Sequence, residues 1–463
     1  MGAEAYGLVG FFAMLQAWFN LLDMGLTPTM ARETARFRGG ALDLLDYRRL
    51  ARALEGVFCV VAIAGGLLLY VSANWIAASW LNANELPMYE VATALEFIAV
   101  IVSLRWMCGL YRGVISGSER LVWLSGFNSL IATLRFVLVL PVLMFFSATP
   151  VTFFIFQLGV AVVEVLGLVF MAYQMLPAIP SGQQIRWQWA PLKPVLKFSL
   201  SIAFTSSIWV LVTQIDKLIL SKILPLADYG YFTVAALLAS GIMIVSGPVS
   251  TAIMPRMANL HAKGELGQLI ALYRQATQIV TVTVIPITLV LVFFSAQVLG
   301  AWTGDDNLVG RVAPVLALYA AGYGVLAVSA FPYYLQYANG DLKLHLIGSA
   351  LLALILVPSV VWATNNYGMI GAGWAWLISN VLYFVIWTPL VHRRFIPGVH
   401  LAWVWLDIVK PSLPAIVAIG VCAHFITWHP NSVVLAFELV AVASAAIALV
   451  YVCADRLTFF NRG

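Results

Sequence analysis

Charge is what this 463-residue sequence has least of. Asp, Glu, Lys and Arg make up 10% of it and hydrophobic residues 62%, whereas a soluble domain carries about 25% charged and about 45–50% apolar residues. No polar stretch is long enough to form a separate soluble domain, and the apolar runs recur at about the 20-residue length that crosses a hydrocarbon layer. This is the composition of a membrane protein. Cysteine is scarce as well: Cys59, Cys108, Cys422 and Cys453 stand singly, which excludes a disulfide framework and a thiolate metal site. The six histidines are dispersed, with His424 and His429 the closest pair, so no metal site or cofactor is expected. Met1-Gly2-Ala3-Glu4 lacks the basic region of a secretory signal, and no small-residue cleavage pattern follows the first apolar run. A net charge of +5 does not imply nucleic acid, because the position of the cations explains it.

What is present is a series of apolar segments at 5–27, 53–73, 88–112, 121–146, 151–177, 198–222, 228–252, 274–295, 312–335, 344–363, 369–391, 411–429 and 433–453, thirteen expected helices. The connections between them alternate in charge. One set holds Arg32, Arg36, Arg38, Arg48, Arg49, Arg52, Arg112, Arg120, Arg186, Lys193, Lys197, Arg256, Lys263, Arg274, Lys343, Arg393, Arg394, Lys410, Arg456 and Arg462, twenty of the 25 cations. The opposite set holds only Lys222 and Arg311. By the positive-inside rule the rich side, with the C-terminus, is cytoplasmic. The basic stretches 28–52 and 178–197 are expected to lie on that surface as interfacial helices.

A displacement of 223 residues relates Glu4-Ala5-Tyr6-Gly7 to Ala227-Asp228-Tyr229-Gly230, and Gly117-Ser118-Glu119-Arg120 to Gly340-Asp341-Leu342-Lys343. A displacement of 224 relates Met30-Ala31-Arg32 to Met254-Pro255-Arg256, and Gly40 to Gly264. A shared register of this kind indicates internal duplication. The second copy has an apolar helix, Phe198 to Lys222, ahead of its Tyr-Gly turn, and the first copy has none. The expected architecture is therefore an all-α polytopic membrane protein of two six-helix lobes, 1–196 and 197–396, with a C-terminal helix pair at 397–463. The first helix of a fourteen-helix pattern is expected to be missing.

Ionisable groups inside these segments carry the functional signal, since a central Arg, Lys or Asp costs roughly 2.5–3.5 kcal/mol to insert and has to face protein or water. They are Glu96 and Arg105, Arg135, Glu164, Asp216 and Lys217, and Glu438. Ser125, Asn128, Ala132 and Arg135 recur at three and four residues on one helix face; Gln157 and Glu164, seven apart, share another; Thr205, Trp209, Thr213 and Asp216 form a third. Glu96 and Arg105 are nine apart, on opposite faces, and so are not expected to pair; adjacent Asp216 and Lys217 diverge by about 100°. The expected site is a hydrated cavity between the two halves. In it Arg105 and Arg135 offer planar guanidinium forks to an anion, balanced by Glu96, Glu164 and Asp216, with Lys217, Asn128, Gln157 and Trp209 in the lining. Packing by interhelical ion pairs is the bland alternative for each, and it is preferred for Glu438.

Glu4-Ala5-Tyr6-Gly7-Leu8-Val9-Gly10-Phe11-Phe12, Asp23-Met24-Gly25-Leu26 with Arg32-Glu33, Gly113 to Arg120, and Gln214-Ile215-Asp216-Lys217-Leu218-Ile219-Leu220-Ser221-Lys222 resemble the polysaccharide transporter family. That family includes Wzx-type O-antigen flippases and lies within the multidrug, oligosaccharidyl-lipid and polysaccharide exporter superfamily. The resemblance implies two lobes around a cationic cavity. It also implies translocation of a polyprenyl-pyrophosphate-linked oligosaccharide across a bacterial inner membrane, within membrane lipids and beside polysaccharide polymerase and glycosyltransferases. Such a protein is not an enzyme; its coupling ion, proton or sodium, stays open. The rival readings are a cation-coupled small-molecule exporter of the same superfamily and a membrane oligosaccharide polymerase. Asp305-Asp306, in a short loop, is the only adjacent acidic pair available to the latter.

Overall fold

The computed structural model describes residues 2–23, 25–179 and 185–455, with backbone only for Leu22, Thr251, Ala454 and Asp455 and for residues 194, 196–198, 200–206, 208 and 209. The described residues form helices, and their one bridge outside them joins Asn82 and Pro225. By packing the chain divides into two compact units, Met1–Gly230 and Tyr231–Gly463. The expected segments lie mostly on helices, and ten helices among the described residues are long and apolar enough to cross a membrane. The protein is a multi-pass membrane protein.

The first unit comprises α1 (Ala3–Phe19), α2 (Leu26–Arg38), α3 (Leu44–Trp75, continued by a π-turn to Trp80), α4 (Met88–Gly117), α5 (Leu121–Phe136), α6 (Val139–Phe145), α7 (Pro150–Met175), α8 (Lys193–Ile223) and the start of α9 (Leu226–Ala262). Local chemistry sets several starts. The Asp43 carboxylate accepts from Leu45 N at the start of α3, and the Thr149 hydroxyl accepts from Thr152 N ahead of Pro150 at the start of α7. At the start of α2, Asp23 accepts from the backbone N and hydroxyl of Thr27, at 3.2 and 2.7 Å.

α4 is the hub of this unit and packs on α1, α2, α3 and α7. α2 is the helix expected in the basic stretch 28–52, but it does not simply rest at the surface. Thr29, Met30, Glu33 and Thr34 are buried, because Gly109, Gly113 and Gly117 leave a side-chain-free groove on α4 for it; a Cβ on Gly117 would lie 2.2 Å from the Ala31 carbonyl oxygen. Small residues at four-residue spacing admit such close helix contact. In the other basic stretch no helix forms over 185–189. A single 3₁₀ turn, Ala190–Leu192, leads into α8, while the Trp187 indole lies against Gly56 and donates to the Ala53 carbonyl at 3.1 Å.

The duplication is visible in element ends. α1 begins at Ala3 and α9 at Leu226, α2 ends at Arg38 and α9 at Ala262, and the left-handed glycines that follow are Gly40 (φ 76°) and Gly264 (φ 74°). α9 is thus the unbroken counterpart of α1 and α2 together. The related turns also touch reciprocally: a Cβ on Gly7 would meet the Leu226 carbonyl oxygen at 2.4 Å, and one on Gly230 the Ala3 carbonyl oxygen at 2.2 Å. Glycine at both places is required by backbone-to-backbone approach. The third match is offset, since the left-handed residue is Glu119 after α4 and Gly340 after the helix that ends at Ala338.

One end of the first unit is tied by the 79–87 segment. Buried Glu4 accepts from the backbone N–H groups of Asn84, Glu85 and Leu86 at 2.6, 3.0 and 2.7 Å. Leu226 N donates to Asn82 O at 2.8 Å, and the Trp80 indole donates to the Ser221 hydroxyl at 3.1 Å.

The second unit holds the rest of α9 with α10 (Leu266–Phe293), α11 (Ser295–Thr303), α12 (Asp306–Ser329), α13 (Phe331–Ala338), α14 (Lys343–Leu382), α15 (Thr388–Phe395), α16 (His400–Ala402), α17 (Lys410–Phe425) and α18 (Ser432–Asp455). The expected helices 344–363 and 369–391 are the two arms of α14 and its continuation, broken at Gly368 (φ 61°, ψ −147°). α17 and α18 pack on α10 through Val290, Phe294, Ile419, Leu435 and Leu439. Beside them Arg274 makes a bidentate ion pair with buried Asp407 at 2.6 and 2.9 Å, and Tyr273 bonds His392, which bonds His400. Glu438 accepts from His429 N at 3.1 Å.

Candidate functional site: an arginine-lined cavity in the first unit

Two pairs of residues, each spaced by seven, face one another across the α4–α7 contact. On α4 these are Arg105 and Arg112, on α7 Gln157 and Glu164, and two helical turns return a side chain to the same face. Arg105 Nη2 donates to Gln157 Oε1 at 2.9 Å, and one turn-pair further along Arg112 Nη2 donates to Glu164 Oε1. Arg105 Nε lies 3.7 Å from Glu164 Oε2, so one carboxylate sits between two guanidinium groups. α5 supplies the third cation. The helix breaks after Phe136 and resumes at Val139, and the Arg135 carbonyl at the break accepts from Gln157 Nε2 at 2.9 Å. Gln157 therefore holds both Arg105 and the α5 terminus.

Arg105, Arg112, Arg135 and Glu164 line a cavity of about 170 Å³, with Gln16 and Asn20 contributed by α1 and the turn after it. The side chains of Arg105 and Glu164 are 6% and 2% exposed. Among the described residues, Arg105 Nε and Nη1, Arg112 Nε and Arg135 Nε have no hydrogen-bond acceptor, and Glu164 Oε2 has no donor. Buried polar groups are nearly always satisfied, so the guanidinium N–H groups left open around this cavity are donors that a bound anion or water can take up. Three arginines against one carboxylate leave the lining at +2. Arg105 also lies over the Phe12 ring at 5.1 Å, which orients it without neutralising it.

The expected residues separate into groups. Arg105, Arg135 and Glu164 share the cavity, and Gln157 braces it. Asn128, on the Arg135 face of α5, is half-buried with its amide oxygen unbonded. Glu96 is half-buried on α4 and outside the lining. Asp216 is buried on α8, and Lys217 lies 3.5 Å from it while donating to Thr213 O at 2.7 Å. The expected divergence of that pair is corrected here, because the long lysine stem folds back. Trp209 and Thr205 have side chains outside those described. Arg112 was assigned by the sequence to a basic loop and is instead a full member of the cluster; its spacing of seven from Arg105 was the available signal. The larger cavity between the arms of α14, about 470 Å³ and lined by Trp362, Tyr367 and Trp374, holds no ionisable group that would recognise charge.

A sequence model of the family described as "Polysaccharide biosynthesis protein" matches residues 1–308. A Shigella flexneri protein named for O-antigen transport is 20% identical over 388 residues, covering 82% of this chain and 88% of that one. In fold the chain is similar to a lipid II flippase, MurJ, in an inward closed conformation (TM-score 0.71, 12% identity, 98% and 97% of the two chains). It is also similar to an inward-facing multidrug resistance MATE transporter of the MOP superfamily (TM-score 0.70, 14% identity, 85% and 91%). With a family match over most of its length and this architecture beneath it, the chain belongs to the polysaccharide biosynthesis protein family and has the fold of the MOP-superfamily transporters.

Proposed function

We propose that the protein flips a polyprenyl-pyrophosphate-linked oligosaccharide across the bacterial inner membrane for surface polysaccharide synthesis. The observation that carries this reading is the +2 cavity with its unfilled guanidinium donors. A pyrophosphate diester carries two negative charges on adjacent phosphates, and Arg forks donate paired hydrogen bonds to such oxygens. At about 170 Å³ the cavity is smaller than the roughly 300–1,000 Å³ of a pocket that encloses a whole ligand, which suits a headgroup whose sugars and tail lie elsewhere. Glu164 bridges Arg105 and Arg112, and Gln157 holds Arg105 in place.

In this reading the lobes 1–196 and 197–396 rock against one another to expose the site alternately to the two sides, the pair in 397–463 is an addition, and the C-terminus is cytoplasmic. No bond is made or broken, so no nucleophile is required. Glycosyltransferases supply the lipid-linked glycan and a polymerase consumes it. The multidrug exporters share the fold, but a cavity at +2 repels cationic drugs. The test is genetic complementation of a flippase-deficient strain. Arg105→Gln, Arg112→Gln and Arg135→Ala, at normal protein levels, are expected to lose surface polysaccharide and accumulate the lipid-linked precursor, with Arg135→Lys keeping part of the activity. Wild-type polysaccharide in all four would reject the assignment.

A further inference from the structure

A second charged cavity lies on the basic-loop side of the first unit, between α3 and α7. It has a volume of about 210 Å³ and is lined by Arg48, Arg52, Glu55 and Tyr173 under an apolar rim of Leu176, Ile179 and Ile185. Arg48 and Arg52 stand one turn apart on α3 and face the same way. Glu55 is already engaged: it accepts from Arg52 at 3.0 Å and from the Tyr173 hydroxyl at 2.6 Å. Arg48 has neither a hydrogen-bond acceptor nor an ion-pair partner among the described residues, although it is half-buried. Its neighbour Arg49 points away and pairs with Asp46 at 3.3 Å.

We propose that this cavity binds the headgroup of a singly charged anionic phospholipid with headgroup hydroxyls, of the phosphatidylglycerol type. Two arginines and one carboxylate leave it at +1, which matches a phosphodiester, whereas the α4–α7 cluster at +2 matches a pyrophosphate. The phosphate sits between Arg48 and Arg52; Glu55 and the Tyr173 oxygen, whose hydrogen is given to Glu55, accept from the headgroup hydroxyls. Leu176, Ile179 and Ile185 cover the headgroup from the loop side, and the acyl chains run the other way, along the exposed apolar face of α3 at Val60, Ile63 and Leu67. Further up α3 the exposed side chains become wholly apolar at Val60, Ile63 and Leu67, about 12 Å beyond Arg52 at 1.5 Å per residue, so the cavity lies at headgroup depth. Trp187 and Trp189, each half exposed beside it, are the aromatic residues that favour that depth. Basic pockets between membrane helices are the usual seats of acidic lipid headgroups.

The test is native mass spectrometry of the purified full-length chain in detergent with added dioleoyl phosphatidylglycerol, dioleoyl phosphatidylethanolamine or glycerol 3-phosphate. Wild type is expected to retain phosphatidylglycerol about tenfold better than phosphatidylethanolamine, and millimolar glycerol 3-phosphate is expected not to displace it. Arg48→Gln is expected to lose that preference, while Arg48→Lys and Arg49→Gln keep it. Equal retention of the two lipids overturns the proposal. So does an Arg49→Gln loss as large as that of Arg48→Gln, and so does displacement by glycerol 3-phosphate, which would make the cavity a free-phosphate site. If Arg48→Gln is poorly folded, wild-type lipid selectivity and the Arg49→Gln control still decide the matter.

Discussion

Replacing Gln157 tests the cavity at the residue that holds it together. Gln157 is 2% exposed, accepts from Arg105 Nη2 and donates to the Arg135 carbonyl, both at 2.9 Å. Gln157→Leu keeps the volume and removes both bonds. A hydrogen bond to a charged group contributes about 1.5–3 kcal/mol and an orphaned buried carbonyl costs about 1–3 kcal/mol, partly offset by burial of the leucine methyls, so a net loss of roughly 2–4 kcal/mol is expected. SDS-titrated unfolding measures it. With Arg105 no longer held, polyprenyl pyrophosphate affinity by calorimetry is expected to fall about tenfold, equivalent to about 1.4 kcal/mol. Gln157→Glu separates charge from packing. It keeps an acceptor for Arg105 but, like the leucine variant, leaves the Arg135 carbonyl without its donor, and it reduces the net charge of the cluster from +2 to +1. This variant is expected to share the stability loss from the orphaned carbonyl, about 1–3 kcal/mol, and, in the folded fraction, to bind the pyrophosphate lipid at least tenfold more weakly than wild type. Wild-type affinity in Gln157→Glu would refute the view that net positive charge in this cavity does the binding.

Three further perturbations probe the frame. Gly230→Ala places a Cβ 2.2 Å from the Ala3 carbonyl oxygen, backbone that has no room to yield, and is expected to lower the melting temperature and yield of the purified protein, whereas Gly241→Ala, with open space around it, is expected to be neutral or better. Glu4→Gln replaces a carboxylate that accepts three backbone N–H groups with an amide having one acceptor oxygen; faster hydrogen exchange at Asn84, Glu85 and Leu86 is expected, with α7 unchanged. Asp341, between α13 and α14, is held below the usual carboxylate range by the Arg394 side chain and the Lys343 backbone. A depressed folded pKa stabilises above the unfolded value and is lost as pH falls through the folded one, so Asp341→Asn is expected to flatten the acid limb of a melting-temperature profile below about pH 4.

The helices were legible because each apolar run is bounded by polar or turn-forming residues, and the duplication because Tyr6-Gly7 and Tyr229-Gly230 meet a backbone constraint that only glycine satisfies. Half of the cluster was legible too: the spacing of seven between Gln157 and Glu164 put both on one face, and the structure turns that face to Arg105. Arg112 was hidden by the rule that located the loops, since α4 runs to Gly117 and keeps this cation on the helix. The burial of α2 was hidden because its hydrophobicity is low; the cause lies on the partner, in Gly109, Gly113 and Gly117. The Asp216–Lys217 pair was misjudged because a helical-wheel angle describes Cβ directions and ignores the reach of a lysine stem. Gln16 and Asn20 carried no signal, being ordinary polar residues at the end of an apolar helix.

The most direct test is flipping in proteoliposomes that contain only this chain and a fluorescent polyprenyl-pyrophosphoryl saccharide, with dithionite quenching reporting the exposed fraction. The wild-type protein is expected to move the pyrophosphoryl lipid, to move a monophosphoryl analogue far more slowly, and to lose both with Arg105→Gln/Arg112→Gln. Equal rates for the two lipids, or undiminished flipping by the double variant, would contradict the claim that these arginines carry the headgroup.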